Sequence, residues 1–475
     1  MCYSLSSRLR ACAKLLGLAL LLLCVPSAVA DPKPLTKEEQ AKVDQAIDKG
    51  VEFLKKAQMP SGMWRFTRYE ASHAVGTCAL PAYALLESGV AADDPVIQKA
   101  AKYLRTIALR TEATYDLSLA LLFFDRLGDP QDKKLIQTIA LHVITAQCQS
   151  GGWSYGCGNA RCGVALYPVL LNCLEGLDKR RKKGSRLLTR DEALRGMELP
   201  PELSFLTVFQ RSDQLTWEDR PQGRNLLIGV TDNSNTEFAL LGLWAARRHD
   251  VPVEATLEIS VERFERFHVY PEGTWTYRTF QKNCNPISGA SMTCVGLMGL
   301  AMGRALKLPT PGSPTGHDKD VHVLRGLAAL SRMIGKAHGD MSKKRTLQDL
   351  YFLWSVERVA MLYDLPTIRE KDWYRWGAEV LVSNQKKSGC WPRWGVGLTQ
   401  KADMADYGAS LNTAFALLFL KRSHPMKDVT PKLPFTAKEL NEGIARLGPR
   451  EKYPLRPMVA GDRKRLESTK RSHHP

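Results

Sequence analysis

A short loop motif that returns along the chain constrains the fold more than any other feature. Gln58-x3-Gly62-x-Trp64, Gln147-x3-Gly151-x-Trp153 and Gln385-x3-Gly389-x-Trp391 share one spacing, and Gly273-x-Trp275 repeats its second half with Val269 in the Gln position. A regular return of one motif indicates stacked copies of one supersecondary unit. Each copy follows an amphipathic helical run: "KVDQAIDKGVEFLKKAQ", "QDKKLIQTIALHVITAQ", "ATLEISVERFERFHV" and "DWYRWGAEVLVSNQ". Each precedes a nearly all-apolar run: "GTCALPAYALLESG", "CGVALYPVLLNCLEGL", "SGASMTCVGLMGLAMG" and "SLNTAFALLFLKR". A helix with a charged stripe faces water, whereas one apolar on every side must be enclosed.

Pairs without the Trp loop fill the gaps, "PVIQKAAKYLRTIA" with "YDLSLALLFFDRLG" and "VHVLRGLAALSRMIG" with "DLYFLWSVERVAMLYD". The run "NSNTEFALLGLWAARR" reads as a further inner helix with no outer partner assigned. No segment alternates with period two over a useful length, so the expected class is all-α. The apolar runs are interrupted after about 10–14 residues, too short to span a bilayer. Alternating outer and inner helices predict an α/α toroid, a double-layered ring of six to seven helical hairpins. In it, Gly62, Gly151, Gly273 and Gly389 would take the turn's positive φ. Gln58, Gln147 and Gln385 would serve orphan backbone groups. Trp64, Trp153, Trp275 and Trp391 would clasp neighbouring hairpins.

These Q-x3-G-x-W loops resemble the QW repeats of squalene-hopene cyclases and oxidosqualene cyclases. The helix alternation resembles the toroid that those enzymes share with protein prenyltransferase β-subunits. The resemblance covers about residues 35–425, apart from a basic insertion near 179–230 and a Pro/Gly linker near 308–318. It implies the fold; it does not carry the chemistry. The D-x-D-D acid of the cyclases is absent, "ADMADYG" offering only Asp403 and Asp406 three apart. "AADDP" (91–95) opens an outer helix, where acids suit the dipole. The Asp-x-Cys of prenyltransferase zinc sites and the Cys-Gly-Glu-Gln of toroidal thioester domains are absent too, "CGNA" (157–160) standing instead of the latter.

Polar residues remain at the starts of the inner runs: Glu70, His73, Tyr115, Asp116, Arg161, Asp232, Asn233, Asn235, Asp349, Asp406 and Tyr407. In a closed ring they would gather at one mouth of a central cavity. Asp116 and Asp406 are the candidate acids, each beside a Tyr and followed by an apolar helix; helix capping is the competing role for any one of them. His73, Tyr115, Arg161, Asp232, Asn235, Asp349 and Tyr407 form the expected rim. The reading is a toroid that binds a lipid-like small molecule or an extended polymer or peptide, without cyclase chemistry and without a cofactor. The alternative is a diverged enzyme acting on an isoprenoid lipid or a polysaccharide through Asp116 and Asp406.

Arg8, Arg10 and Lys14, the apolar "LLGLALLLLCV" and Ala28-Val29-Ala30 describe a secretory signal peptide over residues 1–30, implying export to a periplasmic or extracellular space. In such a space Cys157 and Cys162, which flank "GNAR", are expected to pair. A zinc site with Cys148 is the alternative, but no His follows at ligand spacing, so no metal is expected. The formal charge of +18 is concentrated: residues 179–195 hold eight Lys/Arg against two acids, and residues 450–475 eight against three. The intervening body is nearly balanced, which argues against a nucleic-acid groove. The insertion and a basic tail over 426–475 suit an anionic surface or plain solvation.

Overall fold

The computed structural model describes residues 33–64, 73–157, 163–184, 186–217, 230–269, 273–278, 286–306, 320–335, 350–391 and 409–447. The chain divides into two units, Met1–Lys33 and Pro34–Pro475, and every described helix belongs to the second. The expected signal peptide, the linker, and Glu70, Arg161, Cys162, Asp349, Asp403, Asp406 and Tyr407 lie outside the described residues.

The fold is all-α. In chain order the helices are α1 (Lys37–Ala57), α2 (Ala74–Glu87), α3 (Pro95–Ile107), α4 (Thr114–Leu127), α5 (Lys133–Thr145), α6 (Tyr167–Arg181), α7 (Arg190–Leu194) and α8 (Asn233–Ala246). They continue as α9 (Glu254–Arg266), α10 (Pro286–Ala305), α11 (Val321–Ser331), α12 (Leu350–Leu362), α13 (Trp373–Asn384), α14 (Ala409–Leu420) and α15 (Ala437–Arg446). Only isolated β-bridges occur among the described residues.

Two layers follow from the two kinds of apolar pattern. α1 buries Val43, Ala46, Ile47, Gly50 and Leu54 on one face, and a Thr36/Glu39 capping box starts it. α8 has no polar face, and every residue from Asn233 to Ala246 is buried. The inner helices α2, α4, α8, α10, α12 and α14 each pack on the next, and α14 packs on α2, so the contacts run in a closed cycle. The outer helices α1, α3, α5, α9, α11 and α13 lie against them, with α1 resting on α13 and α14.

The Trp loops share one geometry. Each indole Nε1 donates to a carbonyl in the last turn of the preceding outer helix: Trp64 to Leu54, Trp153 to Val143, Trp275 to Phe264 and Trp391 to Leu381, at 2.7–2.9 Å. Carbonyls of a last helical turn lack the usual intrahelical donor, and the Val143 carbonyl accepts from the Ala146 amide as well, at 3.2 Å. Each Gln amide bonds its own loop glycine's carbonyl and a carbonyl of the next outer helix, Val96, Thr256 or Ala46. Gly389 has φ +91°, and a Cβ there would lie 2.3 Å from the Lys49 carbonyl of α1. The loop of the last pair therefore docks on the first helix.

Three boundaries differ from the sequence reading. The inner partner of α5 is α8, because the Trp153 amide bonds Thr236 Oγ1 and Asp232 bridges to Trp153. α6, read from sequence as that inner helix, packs outside against α5 and α9 and leaves Val169 exposed. Part of the basic insertion is buried: Arg181 Nη2 and the Arg190 amide both donate to Glu258 on α9, at 2.6 and 3.0 Å. Leu203, Leu206, Val208 and Phe209 are also buried. With this cover α9 buries every residue from Ala255 to Phe264. Finally, the fold continues beyond residue 425. Met426 and Val429 are fully buried, and α15 packs on α11.

Candidate functional site

The starts of α4, α8 and α12 meet through side chains. The Tyr115 hydroxyl donates to Ser234 Oγ at 2.7 Å, and Ser234 Oγ donates to the Tyr351 hydroxyl at 3.3 Å. Tyr351 donates in turn to Glu237 Oε2, and Arg358 donates to the other oxygen of Glu237. Burial holds the Tyr115 and Tyr351 phenols well above the usual tyrosine range, so both stay protonated as donors. Arg358 lies over the Trp354 ring, 3.2 Å from its centroid. Phe238 joins this group, edge-on to Tyr115 at 5.0 Å and stacked with Tyr351 at 6.1 Å. Trp354 packs on Phe238 and Phe415 at 5.7 and 5.1 Å. Aromatic residues thus enclose a buried ion pair at the centre of the inner layer.

Two Trp loops supply an outer tier. Tyr155 and Tyr277 each stand two residues after a loop Trp, and their hydroxyls lie 2.6 Å apart. Tyr155 meets Tyr115 edge-on at 5.9 Å and is 36% exposed, which places a phenol from the buried relay's edge at the surface. The loops are tied to the start of α8: the Asn233 amide bonds the Tyr277 carbonyl, and Asn233 Nδ2 bonds that of Thr276. Arg263 Nη1 donates to the Ser150 carbonyl and Arg263 Nη2 to Asn233 Oδ1.

Asp232 is a helix cap. One oxygen accepts from the Asn235 amide and the other from Asn235 Nδ2, both at 2.8 Å, so Asn235 is a structural partner of the cap. Burial raises the Asp232 pKa to about 6 against the pull of those bonds.

Asp116 does something different. It lies inside the first turn of α4, whose N-cap position is Ala113. Its carboxylate is 1% exposed and reaches across to α2, where Oδ1 lies 3.1 Å from His73 Nδ1. Thr111 Oγ1 donates to Oδ2 at 3.3 Å. A Cβ at Gly76 would sit 2.6 Å from Oδ1, so that glycine leaves room for the carboxylate. His73 is 33% exposed.

The structure therefore brings together His73 with Asp116, Asp232 with Asn235, and Tyr115 with Ser234 at the start of α8. Sequence reasoning missed Tyr155, Tyr277, Glu237 and Arg358. The repeated Trp-x-Tyr of "WSY" and "WTY" was the available signal for the first two. The charged pair Glu357-Arg358 inside the apolar "YFLWSVERVAML" was the signal for the last. Cys157 stands as a free, buried thiol beside Thr114 Oγ1, and burial pushes it up to about 12; its expected partner Cys162 falls outside the described residues. Among the described residues no His, Cys, Asp and Glu group is arranged to hold a metal ion. No family model matches the chain, and no curated protein matches it.

Proposed function

We propose that this chain is an exported α/α toroid that binds a hydroxyl-rich, extended ligand, of the saccharide type, where its inner helices start. The observation that carries the reading is the tyrosine tier, Tyr115 with Tyr155 and Tyr277, standing over the Glu237–Arg358 pair. Phenol rings offer apolar faces to a sugar ring and hydroxyls to its edges. An isoprenoid chain fits poorly here, because it would cover the partly exposed Tyr155 and Tyr277 phenols without offering hydrogen bonds. The lipid-like ligand admitted by the sequence is thereby ranked second to the extended polymer.

The test is calorimetry of the mature chain with cellohexaose, chitohexaose and maltohexaose, and with farnesol as the apolar probe. One hexaose should bind, and Tyr155→Ala should weaken it at least tenfold while leaving the thermal midpoint nearly unchanged. Binding of farnesol alone would overturn the reading, as would an indifferent Tyr155→Ala.

A further inference from the structure

We propose that the outward face of α6 seats the protein on an anionic lipid surface, an inference independent of the saccharide reading. α6 lies outside the two layers, against α5 and α9. It buries Tyr167, Leu170, Leu174, Leu177 and Arg181, which follow one helical face. The opposite face is open, and its two halves differ in kind. Val164, Ala165, Pro168 and Val169 are exposed where the helix begins, Val164 at 62% and Val169 at 39%. Lys179, Arg180, Lys182 and Lys183 are exposed where it ends. Positions 164, 168, 172, 175, 179 and 183 succeed one another at three or four residues, so the apolar and cationic halves share one side. An outer helix that merely faces water shows polar residues there, as α1 does with Lys42, Asp44, Asp48, Lys49 and Glu52.

Charge selects the occupant. Residues 175–195 carry eight Lys/Arg against four acids, a formal excess of four positives. Asp178 is paired with Lys182 and Glu192 with Arg186. Arg180 spends its guanidinium on the carbonyls of Ala193 and Arg195, which hold it in place without cancelling its charge. A nucleic acid or an acidic polymer would answer these cations and leave Val164, Pro168 and Val169 in water. A bilayer interface answers both halves, with phosphates for the lysines and the acyl boundary for the valines. The 15 residues of α6 make a rod of about 22 Å, and one that is buried along one side lies in such an interface rather than across it. No described helix is long and apolar enough to cross a membrane.

The test is cosedimentation of the mature chain with vesicles of phosphatidylglycerol mixed with phosphatidylcholine, and with vesicles of phosphatidylcholine alone. The chain should pellet with the first and stay in solution with the second, and added salt should weaken the binding. Lys179→Gln combined with Lys183→Gln should weaken it by about tenfold or more. Val164→Asp combined with Val169→Asp should weaken it as far while leaving the thermal midpoint nearly unchanged, because both side chains are exposed. Val164→Asp alone serves as the second variant if that pair fails to fold. A chain that ignores the anionic vesicles would overturn the proposal. Vesicle binding that survives either pair of substitutions would overturn it too. If the lysine pair alone abolishes binding and the chain also binds duplex DNA, the face is a polyanion site and the lipid seat is refuted.

Discussion

Single residues divide into those that hold the fold and those that face outward. Trp153 is fully buried and its indole serves the Val143 carbonyl, so Trp153→Ala removes a large apolar volume and the shorter of the two hydrogen bonds to that carbonyl. The expected loss is about 3–5 kcal/mol, read from denaturant melts, with Trp64→Ala and Trp391→Ala behaving alike. An unchanged midpoint would refute the clasp. Asp232 sets a pH dependence of the opposite sense to most carboxylates. Its folded pKa, about 6, lies above the unfolded value of roughly 3.9, so the folded state keeps its proton longer. Stability from this group is therefore greatest below about pH 4 and falls as pH rises through about 6. Asp232→Asn retains an acceptor for the Asn235 amide and should flatten that part of the stability–pH curve. An identical slope in the variant would assign it to another group, Glu258 being the next to compare, since burial, opposed by Arg181, raises it as well.

Among elements, the loops decide which helices pair. Gly62, Gly151, Gly273 and Gly389 all have positive φ, and each faces a carbonyl of the next outer helix, those of Lys99, Ile259, Arg325 and Lys49. Gly389→Ala meets both a disfavoured backbone and a 2.3 Å clash, so it should destabilise by more than the ~1 kcal/mol typical of a tolerated Gly change. A thermal melt measures this, and a neutral Ala would mean that the loop does not dock on α1. Helix existence was legible in sequence because burial leaves a direct trace in hydrophobic pattern. Pairing was not, because α6 is apolar enough to imitate an inner helix. A finer signal was present. Thr236, Thr293 and Thr413 occupy the first turns of α8, α10 and α14 or their neighbourhood, and each hydroxyl accepts from the amide of the Trp in its own pair. Thr77 stands at the matching place in α2, and no Thr stands in "CGVALYPVLLNCLEGL". Of the site, Asp116 and His73 were each legible, but their pairing depends on α2 packing on α4, a contact that no local pattern encodes.

At the scale of the whole molecule, the inner contact cycle and the docking of the last loop on α1 are what a closed ring requires. The end opposite the candidate site is crossed by the chain after α14. Ser423 bonds Glu87 of α2, Asp428 accepts from Trp244 of α8, and Thr430 bonds the Met361 and Leu362 carbonyls of α12. The start of the segment read from sequence as a basic tail thus joins two inner helices, α8 and α12, through Asp428 and Thr430.

That organisation bears on the chemistry the QW-like loops first suggest, and the expectation is that this chain does not cyclise squalene. Protonating an isolated alkene requires a strong acid with its proton held in place, and an apolar channel in which the polyene can coil. An ordinary carboxyl, with a pKa near ~3.9, is ionised at neutral pH and has no proton to give. Asp116 shares its oxygens with His73 and Thr111, an arrangement suited to a carboxylate that orients a base. Asp232, which does hold its proton to about pH 6, has both oxygens turned to Asn235. The centre that a polyene would fill carries Glu237, Arg358, Ser234 and Tyr351, linked to one another by hydrogen bonds. Threading a hydrocarbon past them would strand several buried donors and acceptors at about 1–3 kcal/mol each. Incubation with squalene and with oxidosqualene, followed by gas chromatography, should give no cyclic product. Cyclic products that vanish in Asp116→Asn would show the opposite, that this carboxyl delivers a proton to a hydrocarbon, and the polar centre would then have to open to admit it.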